Sequence, residues 1–343
     1  MRFIELFAGI GGFRYGLERA GEHHREPTGG EERTNGQPTE FSCVWANEWD
    51  RYAAQIYRKH WGEGELYEGD IRTVDPNIIP EHDLLCAGFP CQSFSIAGQR
   101  RGFEDTRGTL FFEICRILWA KRTPHIFLEN VRGLFSHDEG NTFQTILRTL
   151  DELGYDCQWQ VLNSKNFGVP QNRERVFIIG HLRGCPRPEV FPIGEYLEWS
   201  DERNGETKIV GSLAGGGHSG GMHSNMTLLG GGDYIPALDV NYSKGDNRPT
   251  QKGNRPKVVH KNTGIRRLTP MECERLQGFP DGWTKDGLTK DGGQVAISDT
   301  QRYKCLGNAV TTNVITAIGE RLRDYIAEKN NNSKVSSLQE EVR

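Results

Sequence analysis

Arg2-Phe3-Ile4-Glu5-Leu6-Phe7-Ala8-Gly9-Ile10-Gly11-Gly12 opens the chain after Met1, and its reading decides the fold. The apolar run Arg2–Leu6 has the length of a buried strand rather than of a helix. Gly9, Gly11 and Gly12 follow at once, so the strand passes into a tight turn whose backbone a ligand can approach closely. A strand, a glycine turn and then helical periodicity is the start of a βα unit. Further strands are expected at Ser42–Ala46, Asp83–Ala87, His125–Leu128 and Val176–Gly180, with a weaker one near Glu65–Glu68. Between them, Leu110, Ile114, Ile117 and Leu118 share one helical face. Phe143, Ile146, Leu147 and Leu150 share another, with Gly154 placed to end that helix. This alternation predicts an α/β fold on a mostly parallel sheet.

In such a sheet ligands bind outside the carboxyl ends of the strands, and the distinctive residues fall there. The first strand runs into the glycine turn. The second leads to Asn47-Glu48-Trp49-Asp50, the third to Asp70-Ile71, the fourth to Gly88-Phe89-Pro90-Cys91-Gln92 and the fifth to Glu129-Asn130-Val131. A dinucleotide fingerprint G-x-G-x-x-G fails at its third glycine, where Arg14 stands. The acids suit an adenosine better than a pyrophosphate: Glu48 can accept from ribose hydroxyls and Asp70 from an adenine amino group. Phe7 and Trp49 read either as packing on that ligand or as core. Cys91, after Pro90, reads either as a small buried hydrophobe or as a nucleophile. Its neighbours favour the second reading. Ser93 to Gly108 is polar and punctuated by Gly98, Gly102 and Gly108, as a lid would be. Arg173 and Arg175 precede an apolar strand and can stabilise a thiolate.

The balance of 42 Lys and Arg against 46 Asp and Glu, a net charge of -4 over 343 residues, argues mildly against a polyanion partner. The distribution argues the other way. Lys244 to Arg267 carries eight basic residues with Asp246 the only acid. This stretch follows a glycine-dense segment, Gly211 to Gly232, in a region where regular alternation fades after Gly184. A catalytic and ligand-binding part over 1–183 is expected, then an irregular part over 184–300 and a return to the first part over 301–328. Val314, Ile315, Ile318, Leu322 and Ile326 mark the returning helix. Glu22–Glu40 reads as a surface loop and 329–343 as a disordered tail. Eight cysteines without C-x-x-C spacing exclude a zinc ribbon and a metal site is not expected. Glu5 spoils the first apolar run as a signal sequence, and no apolar run approaches the ~20 residues that span a bilayer. A cytoplasmic protein is expected.

Taken in order, these residues resemble the C5-cytosine-specific DNA methyltransferases of bacterial restriction–modification type. Phe7-Ala8-Gly9-x-Gly11-Gly12 is similar to that family's donor loop, Glu48-Trp49 and Asp70-Ile71 to its ribose and adenine contacts, and Pro90-Cys91-Gln92-Ser93-Phe94-Ser95 to its catalytic loop. Glu129-Asn130-Val131, Gln171-Asn172-Arg173-Glu174-Arg175, the run from Arg267 to Pro280, and Gly307-Asn308-Ala309-Val310 resemble the later motifs. The resemblance implies a Rossmann-like S-adenosylmethionine-dependent domain with a smaller target-recognition domain. Phe7, Gly9, Gly11, Glu48, Trp49, Asp70, Ile71, Pro90, Leu110, Asn308 and Val310 would hold the donor. Cys91 would attack carbon 6 of a flipped-out cytosine, Glu129 would act as acid toward ring N3, Arg175 would hold the ring carbonyl, and Arg173 would help position the catalytic loop. Gln92 and Ser95, with Lys252, Arg255 and Lys257, would meet DNA. It implies a monomer acting on double-stranded DNA, encoded by a bacterium or phage, with a restriction endonuclease linked by function rather than contact. An RNA cytosine-5 methyltransferase on the same scaffold and a DNA-binding regulator are the alternatives.

Overall fold

A computed structural model describes residues 1–22, 41–90, 110–194, 257–260 and 264–325. Seven strands make one sheet: β1 (Arg2–Leu6), β2 (Ser42–Glu48), β3 (Leu66–Glu68), β4 (Leu84–Gly88), β5 (His125–Val131), β6 (Tyr155–Asn163) and β7 (Glu174–Leu182). Their order is β3-β2-β1-β4-β5-β7-β6. The first five are parallel to their neighbours, whereas β7 runs antiparallel to both β5 and β6. The sheet is therefore mostly parallel, as expected, and the strand anticipated at Val176–Gly180 is the one that reverses. Its partner β6 was not anticipated.

Period-two alternation gives the sheet two apolar faces. Phe3, Leu84, Cys86, Phe127, Phe177 and Ile179 point to one core, which is covered by α1 (Gly12–Glu22) and by a last helix, α7, over 312–325. Ile4, Leu6, Leu85, Ile126, Leu128 and Ile178 point to the other, covered by α3 (Leu110–Lys121) and α4 (Asn141–Glu152). Gly154 follows α4 at φ 92°, in the left-handed conformation that ends a helix readily only with glycine.

The first and last helices touch closely. A Cβ on Gly16 would fall 2.6 Å from Ile315 Cβ, and one on Gly319 would fall 2.8 Å from Ala20 Cβ. Thr316 and Arg323 then donate to the carbonyls of Gly16 and Ala20. Valine and isoleucine on α7 bury against α1 because glycine leaves them room.

A third apolar cluster lies at the glycine-turn end. Ile10 and, from α2 (Arg51–Trp61), Ala53 and Ile56 pack on Leu268, Phe279 and Trp283, and on Cys273 and Leu276 of α5 (Pro270–Leu276). Cys305 and Leu306 of α6 (Asp299–Asn308) complete it. Thr269 and Glu272 close a reciprocal capping box that starts α5 after the hairpin of β8 (Lys257–His260) and β9 (Gly264–Arg267). A smaller hairpin, β10 (Asp286–Leu288) with β11 (Gln294–Ala296), packs against α2. Most of the Glu22–Glu40 loop, Gly211 to Gly232, Ile326 and the tail from Lys329 lie outside the described residues.

Candidate active site

Because β1 to β5 are parallel, their carboxyl ends share one edge, and the expected donor residues are brought together there. Phe7 sits at φ 56°, an uncommon backbone setting for a bulky residue, and Gly9 and Gly11 follow at 57° and 80°. Gly11 N–H donates to the Ala8 carbonyl at 2.9 Å and tightens the turn. The glycines also answer to packing. A Cβ on Gly11 would lie 2.1 Å from the Trp61 ring, and one on Gly12 2.5 Å from Val310.

Glu48 ends β2 and is buried. Its carboxylate accepts from Gly9 N at 2.7 Å, Trp49 N at 2.9 Å and Asp50 N at 2.7 Å, which ties the second strand end to the glycine turn. Burial pushes its carboxyl above the ordinary value, and the three amides pull the other way. Asp50 caps α2 through Tyr52 N and Ala53 N and is held by Lys304 of α6. Trp49 stands 71% exposed beside these groups. An aromatic face open to solvent next to a fixed carboxylate suits an adenosine. Asp70 caps a short 3-10 turn, and its carboxylate is engaged by Arg72, which holds it below its ordinary value. Ile71 is buried, Leu110 is half-buried at the start of α3, Pro90 and Asn308 are exposed, and Val310 is buried against Gly12.

At the other end of the edge, the β4–β5 register sets Glu129 beside Gly88. Arg175 Nε stands 3.1 Å from Glu129 Oε1, with both side chains largely buried. Burial pushes the Glu129 carboxyl upward, while Arg175 and then Arg173 pull it down. Arg173 is 2% exposed and donates to the carbonyls of Gly307, at 3.3 Å, and Ala309, at 2.8 Å. Its Nε and Nη1 are buried without a hydrogen-bond partner among the described residues. Two buried guanidinium groups facing one carboxyl favour an added negative charge, on a thiolate or on a ring that reacts there. Asn130 Nδ2 donates to the Phe89 carbonyl at 2.9 Å and so fixes the chain two residues before Cys91.

Cys91, Gln92, Ser95, Lys252 and Arg255 lie outside the described residues, and Lys257 begins β8. Among the described residues no set of three His, Cys, Asp or Glu could hold a metal, and no helix is long and apolar enough to cross a membrane. Sequence reading missed Trp283 and Lys304, which hold the site from behind, and the buried hub that Thr311 makes with Gln171 and Gln277 of the motifs already noted. Trp283 reads as an ordinary core aromatic and the half-exposed Lys304 as an ordinary surface lysine, so neither carries a local signal of this role.

The family model described as C-5 cytosine-specific DNA methylase matches residues 1–227 and 218–324. Type II methyltransferase M.NlaX of Neisseria lactamica is 37% identical over 340 residues, covering 94% of this chain and 96% of that protein. Type II methyltransferase M.HhaI of Haemophilus parahaemolyticus is 34% identical over 351 residues, covering 93% of each. Among solved structures, the S. pombe Dnmt2 methyltransferase superposes with a TM-score of 0.61 at 19% identity, covering 95% of this chain and 99% of that one. The Entamoeba histolytica methyltransferase EhMeth gives 0.58 at 19%, covering 95% and 98%. These two likenesses speak for the fold alone, while the family model and the sequence relatives carry the assignment: the chain is a DNA methyltransferase that belongs to the C-5 cytosine-specific DNA methylase family.

Proposed function

We propose that this enzyme methylates carbon 5 of a flipped-out cytosine within a specific double-stranded DNA sequence, through a covalent bond from Cys91 to carbon 6. The observation that carries the reading is the buried Glu129–Arg175 pair, set beside Gly88 where the chain leaves the sheet toward Cys91.

Carbon 5 of cytosine is a poor nucleophile. A thiolate adding at carbon 6 turns the ring into an enamine-like species, and carbon 5 becomes able to take a methyl group. Electron density moves toward N3 and the ring carbonyl during this addition. Glu129, whose carboxyl burial biases toward the protonated form, acts as acid at N3. Arg175 stabilises the ring carbonyl oxygen, and Arg173 holds the 307–309 segment behind it. The donor, S-adenosylmethionine, supplies an electrophilic methyl on a sulfonium. The glycine turn, Glu48, Trp49, Asp70, Ile71 and Val310 hold it, with Phe7, Pro90, Leu110 and Asn308 at the margins. Loss of the proton from carbon 5 restores the ring double bond and expels the Cys91 thiolate. A stacked base cannot reach this edge, so it must leave the duplex at a cost of a few kcal/mol.

The chain divides, in this reading, into a catalytic part over 1–183, a recognition part over 184–300 whose stretch from Leu268 packs onto the donor end, and a return over 301–328. Its lysines and arginines, with Gln92 and Ser95, meet the DNA. The enzyme works as a cytoplasmic monomer that protects the DNA of a bacterium or phage from a cognate endonuclease it does not bind. The names of the Type II relatives support that role.

Duplex carrying 5-fluorocytosine at the target tests the covalent step, because carbon–fluorine bonds block the final elimination. Wild-type protein is expected to be trapped on it, and Cys91→Ser to bind DNA without trapping or turnover. Near-normal turnover of Cys91→Ser would overturn the mechanism.

A further inference from the structure

We infer that Trp283, in the stretch from Leu268 that packs onto the donor end, is a positioning residue for the donor loop: it pins the one peptide plane on which the glycine turn pivots. The peptide between Ile10 and Gly11 is held on both sides. Its N–H, from Gly11, donates to Ala8 O at 2.9 Å, and its carbonyl, from Ile10, accepts from the Trp283 indole Nε1 at 3.1 Å. A peptide is rigid and planar, so two opposed hydrogen bonds fix its orientation. That orientation sets the turn from Gly9 to Gly12, where Gly9 N–H meets Glu48.

The indole is itself held. Its ring stacks on His60 with centroids 3.5 Å apart and planes 9° from parallel, and His60 Nε2 lies 2.9 Å from the Trp283 carbonyl. Tyr15 and Phe279 close on it at 4.9 and 5.2 Å. Burial keeps His60 neutral, with its value pushed down to about 4, so the stack does not charge near neutrality. A second fastening comes from the same stretch of chain. Lys304 pairs with Asp50, whose own N–H donates to Glu48. Residues 283–304 thus form a strap that holds both halves of the donor pocket without belonging to it.

This inference rests on the reading of Phe7–Gly12 and Glu48 as the donor site, and calorimetry on the full chain with S-adenosylhomocysteine separates the two. Trp283→Phe keeps an aromatic ring in place and removes the N–H donor together with the smaller ring of the indole. A lost hydrogen bond of ordinary strength corresponds to roughly threefold to tenfold in Kd. Donor Kd should rise by that factor while the KM for DNA and kcat at saturating donor stay within twofold. A folded Trp283→Phe with wild-type donor Kd overturns the inference, as does an equal rise in the KM for DNA; a fall in Tm alone shows a merely structural role and also overturns it. If Trp283→Phe does not fold, Lys304→Met decides: weaker donor binding supports the strap and unchanged binding overturns it. Glu48→Ala is the outer control. If it binds the donor as wild type does, the donor-site reading itself fails; if it is weakened and the strap variants are not, only the strap fails.

Discussion

Arg175 reaches diagonally across two antiparallel strands to Glu129, Nε to Oε1 at 3.1 Å, where Arg175 itself is registered against Val131. A carboxyl that must give a proton to an uncharged ring has to keep that proton near neutral pH. Burial supplies the upward push, and the arginine limits it. Glu129→Gln is therefore expected to lower single-turnover methyl transfer by roughly 10²–10⁴-fold with DNA binding retained. Arg175→Met removes the nearest cation, so the Glu129 carboxyl rises further and the alkaline limb of the pH–rate profile shifts to higher pH. A Glu129→Gln enzyme within threefold of wild type would remove Glu129 from the chemistry.

Two glycines at the same φ of 80° separate strain from crowding. Gly11→Ala adds a methyl into the Trp61 ring, whereas a methyl on Gly62 meets nothing within 4 Å. Each substitution should cost on the order of 1–3 kcal/mol in backbone strain. Only Gly11→Ala displaces the turn, and kcat/KM for the donor should fall roughly 10²-fold. Equal losses in both variants would show that conformation, not the Trp61 contact, demands the glycine.

Glu5 gives the fold a pH dependence of unusual sign. It lies on β1 beneath α1, 1% exposed, with Oε1 accepting from Phe13 N at 3.1 Å, and burial pushes its carboxyl from 4.5 to about 8. The folded protein binds more protons here than the unfolded chain, so this contribution is complete below pH 4.5 and is lost as pH rises through 8. The loss approaches roughly 5 kcal/mol. His60 acts oppositely, losing stability as pH falls from 6.5 toward 4. Above pH 6.5 the His60 contribution is complete, and the Glu5 slope adds to that of the other buried carboxyls raised by burial, Glu48 and Glu129. Denaturant unfolding of Glu5→Gln should show a flatter decline between pH 6.5 and 8.5 than wild type; parallel curves would refute the assignment.

Neutralising Lys252, Arg255 and Lys257 together should weaken binding to every DNA sequence and reduce the log–log salt slope by roughly 3. Exchanging 184–263 for the equivalent region of a relative should change the methylated site and keep the product. An active exchange enzyme with the original site would place recognition elsewhere.

Strand ends were legible because carboxylates there are costly to bury without purpose and glycines mark tight turns, and Glu48, Glu129, Arg173 and Arg175 do gather at one edge. What escaped was polar by design. β6 alternates Tyr155, Cys157 and Trp159 with Asp156, Gln158 and Gln160, a period-two pattern overlooked beside the continuous apolar runs of the central strands. Its glutamines serve as clasps: Gln158 binds the backbone of Val190 and Phe191, and Gln160 that of Ile193. Trp283 and Lys304 escaped for another reason. Their partners, Ile10 and Asp50, are more than 250 positions away, and no local pattern joins them.

The close seating of α7 on α1, glycine against isoleucine, bears on how the enzyme is made. A ribosome adding about 5–20 residues per second delivers β1 and its glycine turn first and their cover last. For roughly 9–37 s after Phe127 is made, the sheet face carrying Phe3, Leu84 and Phe127 waits for Val314, Ile315 and Ile318. The fold is therefore closed only after residues 184–300 have been synthesised. A chain cut short between Arg175 and Val314 carries Glu129 and Arg175 but lacks the cover of its own core.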